Sequence, residues 1–226
     1  MAMTPRQMLM IVAGVAVVGA AAIFYFVNSA ETTTLPQATA ATAAPATSGQ
    51  DSELMTPGPL GERTMGDPKA PNTVIEYASL TCPHCQRFHE EVFTAFKEKY
   101  IDTGKVYFIF REFSRDPLDT SAFMLARCAP ADRYFPIVDL LFDQQQNWAF
   151  VQDPVTALQN LVKQAGYSQD SFKACLTNQQ ILDGVNAVRD RATSKFGVDS
   201  TPTFFFNGEK KLGEQTLEDI GKILGS

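Results

Sequence analysis

Two thiols held three positions apart are the residues in this chain best suited to chemistry: Cys82-Pro83-His84-Cys85. Disulfide exchange needs one thiolate presented to an attacking or accepting sulfur and a second thiol kept back to resolve the mixed disulfide. A C-x-x-C at the start of a helix supplies both. Cys82, at the helix N-terminus, would gain from unpaired backbone N–H groups and the helix dipole, which stabilise an anion and lower a thiol pKa. It is the expected nucleophile, facing solvent. Cys85, one turn later, falls on an apolar stripe with Phe88 and Val92 and is the expected resolving thiol. His84 could offer the Cys82 sulfur a hydrogen bond or positive charge, and whatever stabilises the reduced thiolate makes the disulfide a stronger oxidant. A structural zinc site would need two further ligands nearby. The remaining histidine, His89, stands alone and is expected in a solvated or half-buried structural role, so no metal is expected.

Two further positions are out of place for their surroundings. Glu76 interrupts the apolar run Val74-Ile75-Glu76-Tyr77-Ala78, and a carboxylate there must be paired, protonated, functional, or at an edge where it reaches water. Six residues ahead of Cys82, it could lie beneath the redox helix and exchange a proton with Cys85. Thr201-Pro202 stands directly before the β-forming run Thr203 to Phe206, where a proline without a ladder donor needs a reason, and a cis peptide would be one.

The elements that must carry these groups follow from periodicity. Residues 73–78 form a buried strand leading to Cys82. Cys85, Phe88, Val92, Phe96 and Tyr100 then recur at three- and four-residue steps, with charged residues between them, until Gly104 ends the helix. Val106 to Phe110 are five consecutive β-formers suited to a strand buried on both faces, making a parallel strand-helix-strand unit. Residues 117–196 read as about four short helices separated by Pro130, Pro136, Pro154 and Gly166. Asn207-Gly208 joins Thr203–Phe206 to Glu209–Leu212 as a tight hairpin, and a last helix covers about residues 216–224. The order is α/β: a thioredoxin-like fold with an inserted helical domain.

Composition bounds the rest. The chain has 226 residues, 45% of them hydrophobic, enough for a real core, and 19 basic against 25 acidic residues give a net charge of -6. That balance provides no electrostatic footprint for nucleic acid. Arg6 precedes the uncharged stretch Met8 to Val27, which is longer than the roughly 7 to 15 apolar residues of a cleaved signal peptide. Residues 1–30 are therefore read as a transmembrane anchor, with a signal segment as the alternative. The positive-inside bias places the remainder outside the cytoplasm, where disulfides persist. Residues 31–57, rich in Ala, Thr and Pro, read as a disordered linker, and residues 58–226 as the folded domain, with its turn-rich start near Gly66.

The run Val74 to Ser79 leading to Cys82-Pro83-His84-Cys85, followed far downstream by Thr201-Pro202-Thr203-Phe204-Phe205-Phe206-Asn207-Gly208, resembles the DsbA family of periplasmic disulfide oxidases over residues 60–226. The resemblance implies that Cys82 forms mixed disulfides with secreted substrates, that Pro202 is cis and with Thr201 meets the substrate, and that Glu76 is the buried acid. It implies a monomer in the periplasm of a Gram-negative bacterium, recharged by a DsbB-like quinone-linked oxidase of the inner membrane. No cofactor beyond the cysteine pair is expected. Cys128 and Cys175 both lie in the insertion and resemble the second disulfide of some alphaproteobacterial DsbA proteins, where loop closure could stabilise the fold by about 4 kcal/mol. The chain departs from the family in its anchor, and in Thr201, where members often have Val. Alternatives are a disulfide isomerase or reductase on the same fold, or a redox-inactive chaperone-like module.

Overall fold

The computed structural model describes residues 49–225, so the apolar segment 1–30 and most of the expected tether lie outside the described residues. Among the described residues no helix is long and apolar enough to cross a membrane. The last part of the segment expected as a disordered tether to residue 57 is structured. Gly49–Leu54 forms a short helix (α1), and Leu54 is buried in a cluster with Ile75, Tyr77, Val188 and Phe205. Composition missed this because one buried leucine is too little to show as periodicity.

Five strands form the sheet: β1 (Arg63–Met65), β2 (Asn72–Ala78), β3 (Val106–Glu112), β4 (Thr203–Phe206) and β5 (Glu209–Leu212). Their order is β1-β3-β2-β4-β5, with β2 and β3 parallel and the other pairs antiparallel. β1, three residues of no distinct pattern, was not legible in the sequence. The central pair reads as expected: β3 is buried along nearly its whole length, as a strand covered on both faces must be. Asn207 at φ 50 and Gly208 at φ 89 give the hairpin its left-handed turn.

Alternation sorts β2 between two layers. Val74 and Ala78 face a core containing Cys85, Phe88, Phe96, Phe108, Phe110 and Phe204. Ile75 and Tyr77 face the opposite side. There α9 (Gln179–Phe196) supplies Val188, Ala192 and Phe196.

The helix after Cys82 is a chain of segments: α2 (Pro83–Phe88), a π-helical turn over His89–Phe93, α3 (Thr94–Phe96), and a second π-helical turn over Lys97–Ile101. Phe88, Phe93, Phe96 and Tyr100 are the buried row, whereas Val92, expected on the stripe, is half-buried. On a regular α-helix the five-residue step from Phe88 to Phe93 would overshoot the stripe by about 140°. The wider π turn takes up much of that excess and brings Phe93 into the core.

The insertion holds α4 (Pro117–Cys128), α5 (Tyr134–Asp143), α6 (Gln145–Trp148), α7 (Pro154–Val162), α8 (Gln169–Leu176) and α9, more helices than the breakers alone suggested. The last helix, α10, is Leu217–Ile223, capped by Thr216. A disulfide joins Cys128 at the end of α4 to Cys175 in α8, 47 residues apart. Converting both to alanine lowers the unfolding free energy by about 2 to 4 kcal/mol. Urea denaturation of the reduced-centre protein measures this, and an unchanged midpoint would mean that packing alone holds the insertion.

A buried polar network ties α4 to the sheet. Glu112 is fully buried, accepts from Tyr134 Oη at 2.6 Å and Arg127 Nη2 at 2.9 Å, and also pairs with Arg127 Nε. Arg127 Nη1 donates to the carbonyls of Leu60 and Gly61 at 3.1 and 3.0 Å, anchoring the segment before β1. Burial pushes the Glu112 carboxyl up, but Arg127 and Tyr134 outweigh it and hold it below the ordinary range.

Candidate active site

Strand β2 ends at Ala78, and the Ser79-Leu80-Thr81 turn delivers Cys82 to the N-cap of α2 in extended conformation, with Pro83 opening the helix. Proline suits this first position because its missing N–H would be unpaired there anyway. The insertion braces the turn. Gln145 Nε2 donates to the Leu80 and Cys82 carbonyls at 2.8 and 3.1 Å. Buried Asp119 accepts from Leu80 N at 2.8 Å and from Arg115 N at 2.9 Å. Asp116 caps α4 and accepts from the Thr81 hydroxyl at 2.9 Å. Sequence reading missed these three side chains, although Asp116-Pro117 is a visible helix-start signature.

The two thiols are free and both are buried, Cys82 at 1% exposure and Cys85 at 0%. Cys82 is therefore less open than expected. Its Sγ donates to the Thr201 carbonyl at 3.3 Å, and the Thr201–Pro202 peptide is cis, so this segment lies against the sulfur.

The environments push the two thiols apart. The hydrogen bond from Cys85 is the largest influence on Cys82. Burial opposes it, but the Thr201 side chain and the backbone N–H groups of Cys85 and His84 add to it, and the Cys82 thiol falls from 9.0 to about 5. Cys85 moves well up, chiefly through burial, then through its interaction with Cys82 and the charge of Glu76. Thiolate absorbance of the reduced protein should accordingly rise with a midpoint near pH 5. A midpoint near the ordinary thiol value of about 8.5 would contradict the arrangement.

His84 does not act on the sulfur through its ring, contrary to expectation. Its side chain is 63% exposed and turns to Glu214 in the β5–α10 loop, with Nδ1 at 2.5 Å from Oε1. Arg87, one turn along α2, grips the same carboxylate through Nε and Nη2, so the imidazole and the guanidinium share one acceptor. What His84 gives Cys82 is its backbone N–H. Glu214 stands 130 positions from His84, and nothing local in the sequence signals the contact.

Glu76 is fully buried, which disposes of the edge-strand reading, and neither of its carboxylate oxygens has a hydrogen-bond partner. Its nearest charged-type neighbour is His89, whose Nε2 lies 3.6 Å from Oε2 and likewise has no hydrogen-bond partner. The His89 ring is sandwiched between Phe93 and Phe142, with centroids at 4.6 and 4.2 Å. The expectation that His89 stands alone is corrected: strand and helix bring it to Glu76.

Comparison with known proteins agrees with this geometry. Residues 60–226 match the family model described as thioredoxin. The crystal structure of Wolbachia pipientis alpha-DsbA1 is 34% identical, with a TM-score of 0.70, covering 77% of this chain and 94% of that one. Among curated proteins, those of Rickettsia typhi and Rickettsia conorii, provisionally named protein-disulfide oxidoreductases, are each 32% identical over 65% and 70% of this chain. The chain spans 55% and 57% of their respective lengths. By its matched domain, its fold and this likeness, the chain belongs to the thioredoxin family, in the DsbA-like branch.

Proposed function

We propose that the chain is a protein dithiol-disulfide oxidoreductase that introduces disulfides into secreted or envelope proteins. The observation that carries the reading is the asymmetry of the pair, an acidic Cys82 beside a buried, weakly acidic Cys85. A substrate thiolate attacks Cys82 Sγ, the Cys82–Cys85 bond breaks, and Cys85 leaves and takes up a proton. The second substrate thiolate then attacks the mixed disulfide and releases Cys82, a good leaving group because its thiolate is stable. The substrate dithiol loses two electrons and the cysteine pair gains them.

Direction follows from the same asymmetry. The depressed pKa stabilises only the reduced protein, since the disulfide has no thiolate to stabilise. That contribution is fully present above pH 9 and is lost as pH falls through about 5. Oxidation of substrates is favoured near neutrality.

Glu76 serves as proton donor and acceptor for Cys85, and Thr201–Pro202 as the segment against which the substrate lies. Protein-disulfide oxidoreductase in the names of the Rickettsia relatives supports the activity. The enzyme works as a monomer in the periplasm of a Gram-negative bacterium, held to the inner membrane by residues 1–30 and recharged by a DsbB-like quinone-linked oxidase. Mixing the oxidised full chain with a reduced, unfolded cysteine protein tests the activity. One substrate disulfide should appear per Cys82–Cys85 disulfide consumed, and absence of transfer would overturn it.

A further inference from the structure

Glu76 and His89 form a buried pair whose facing atoms make no other hydrogen bond, an arrangement a folded protein rarely keeps without a use. Their side chains are 0% and 5% exposed. His89 alone of the two lines a cavity of about 380 Å³ on its outer side. The cavity is walled by Phe93 and Phe142 and carries Lys97, Glu98, Asp102, Asp139 and Asp143. Asp139 is raised by burial and drawn down again by His89, so the imidazole communicates with these charges. Cys85, with no exposure, lies in the core with Val74 and Ala78, the face of β2 that also carries Glu76, and its thiol feels the Glu76 charge. Glu76 therefore shares the core face with the buried thiol and does not line the cavity, while His89 lines the cavity and faces Glu76.

We propose that His89 is a second proton-carrying residue of the reaction, passing protons between Glu76 and the solvent in this cavity. The inference rests on the oxidoreductase reading above. When the Cys82–Cys85 bond breaks, the Cys85 thiolate takes a proton from the Glu76 carboxylic acid. The resulting carboxylate is reprotonated from His89 Nε2, and the neutral imidazole recovers its proton from cavity water. On reoxidation each transfer runs backwards, and Cys85, deprotonated, attacks the mixed disulfide at Cys82. The 3.6 Å gap closes to hydrogen-bond length by a small ring movement, as catalytic contacts commonly tighten during reaction. His89 touches no sulfur, so it acts through Glu76 as a positioning and relay residue.

A purely structural His89 would be a filler between two phenylalanine rings, and the His89→Phe variant separates the two roles because phenylalanine preserves the stacking. Reduced full-length protein is mixed with oxidised glutathione, quenched with acid and mass-tagged. This resolves capture of glutathione at Cys82 from the later attack by Cys85. In His89→Phe, capture and the Cys82 thiolate titration should be unchanged. Resolution by Cys85 should be slower by about tenfold or more, within the range seen for lost proton transfer. Free imidazole should restore it in His89→Ala, where the truncated side chain leaves the ring's place open between the cavity and Glu76. His89→Asn, which keeps polarity but cannot relay, should show the same defect. Resolution at the wild-type rate in His89→Phe or His89→Asn, or a slowing in His89→Ala that imidazole does not relieve, would overturn the proposal. If the wild-type protein captured glutathione and never resolved it, the oxidoreductase reading itself would fall.

Discussion

Serine at position 82 abolishes disulfide exchange, with a fall of at least about a thousandfold, because a serine hydroxyl stays un-ionised near neutral pH and cannot enter a mixed disulfide. The loss should be chemical and leave the fold intact. Cys82 sits at a helix N-cap without a side-chain capping bond, and serine is a favoured residue there, so the folded structure should tolerate the change. Serine at position 85 should behave differently. Cys82 still reacts, but the mixed disulfide is never resolved and accumulates as a covalent adduct. Mass spectrometry after incubation with oxidised glutathione distinguishes the two variants. An adduct on Cys82→Ser, or an adduct-free Cys85→Ser, would reverse the assignment of attacking and resolving thiols.

The largest expected effect on stability lies at Arg127. Replacing it with methionine preserves most of its length but leaves the Glu112 charge buried, with Tyr134 and a backbone N–H as its remaining hydrogen-bond partners. Stranding a buried charge in this way costs about 3 to 5 kcal/mol. The pH dependence gives an internal check. In the parent protein the Glu112 carboxyl is lowered from 4.5, so its contribution is present above pH 4.5 and lost as pH falls through the lower folded value. In Arg127→Met the carboxyl favours its protonated form, so the deficit is greatest near neutrality and narrows under acid. Urea unfolding at neutral and acidic pH measures both. A deficit below about 1 kcal/mol at neutrality would mean that water or another group replaces the guanidinium.

Much of this site was legible because its signals are local. The Cys82 to Cys85 spacing, the apolar stripe through Phe88 and Phe96, the Asn207-Gly208 turn and the odd placement of Glu76 and Pro202 each need only a few neighbouring residues to read. What escaped depends on pairing across the fold. His89 meets Glu76 because β2 and the helix after Cys82 cross, and the π turn that begins at His89 shifts its phase from that of a regular helix. The His84–Glu214 contact joins α2 to a loop 130 residues away. Asp119 and Gln145 belong to the insertion yet brace the Leu80–Cys82 turn. No periodicity encodes such partners. The contact of Cys82 with Thr201 was missed for the same reason, since Thr201 stands on a distant segment.

The central claim is that this cysteine pair donates disulfides, and the most direct measurement is the equilibrium of Cys82–Cys85 with glutathione buffers on the full chain. The stabilised Cys82 thiolate predicts a reduction potential more oxidising than about −200 mV. A value near the roughly −270 mV of a thioredoxin would contradict the account and make the protein a reductant.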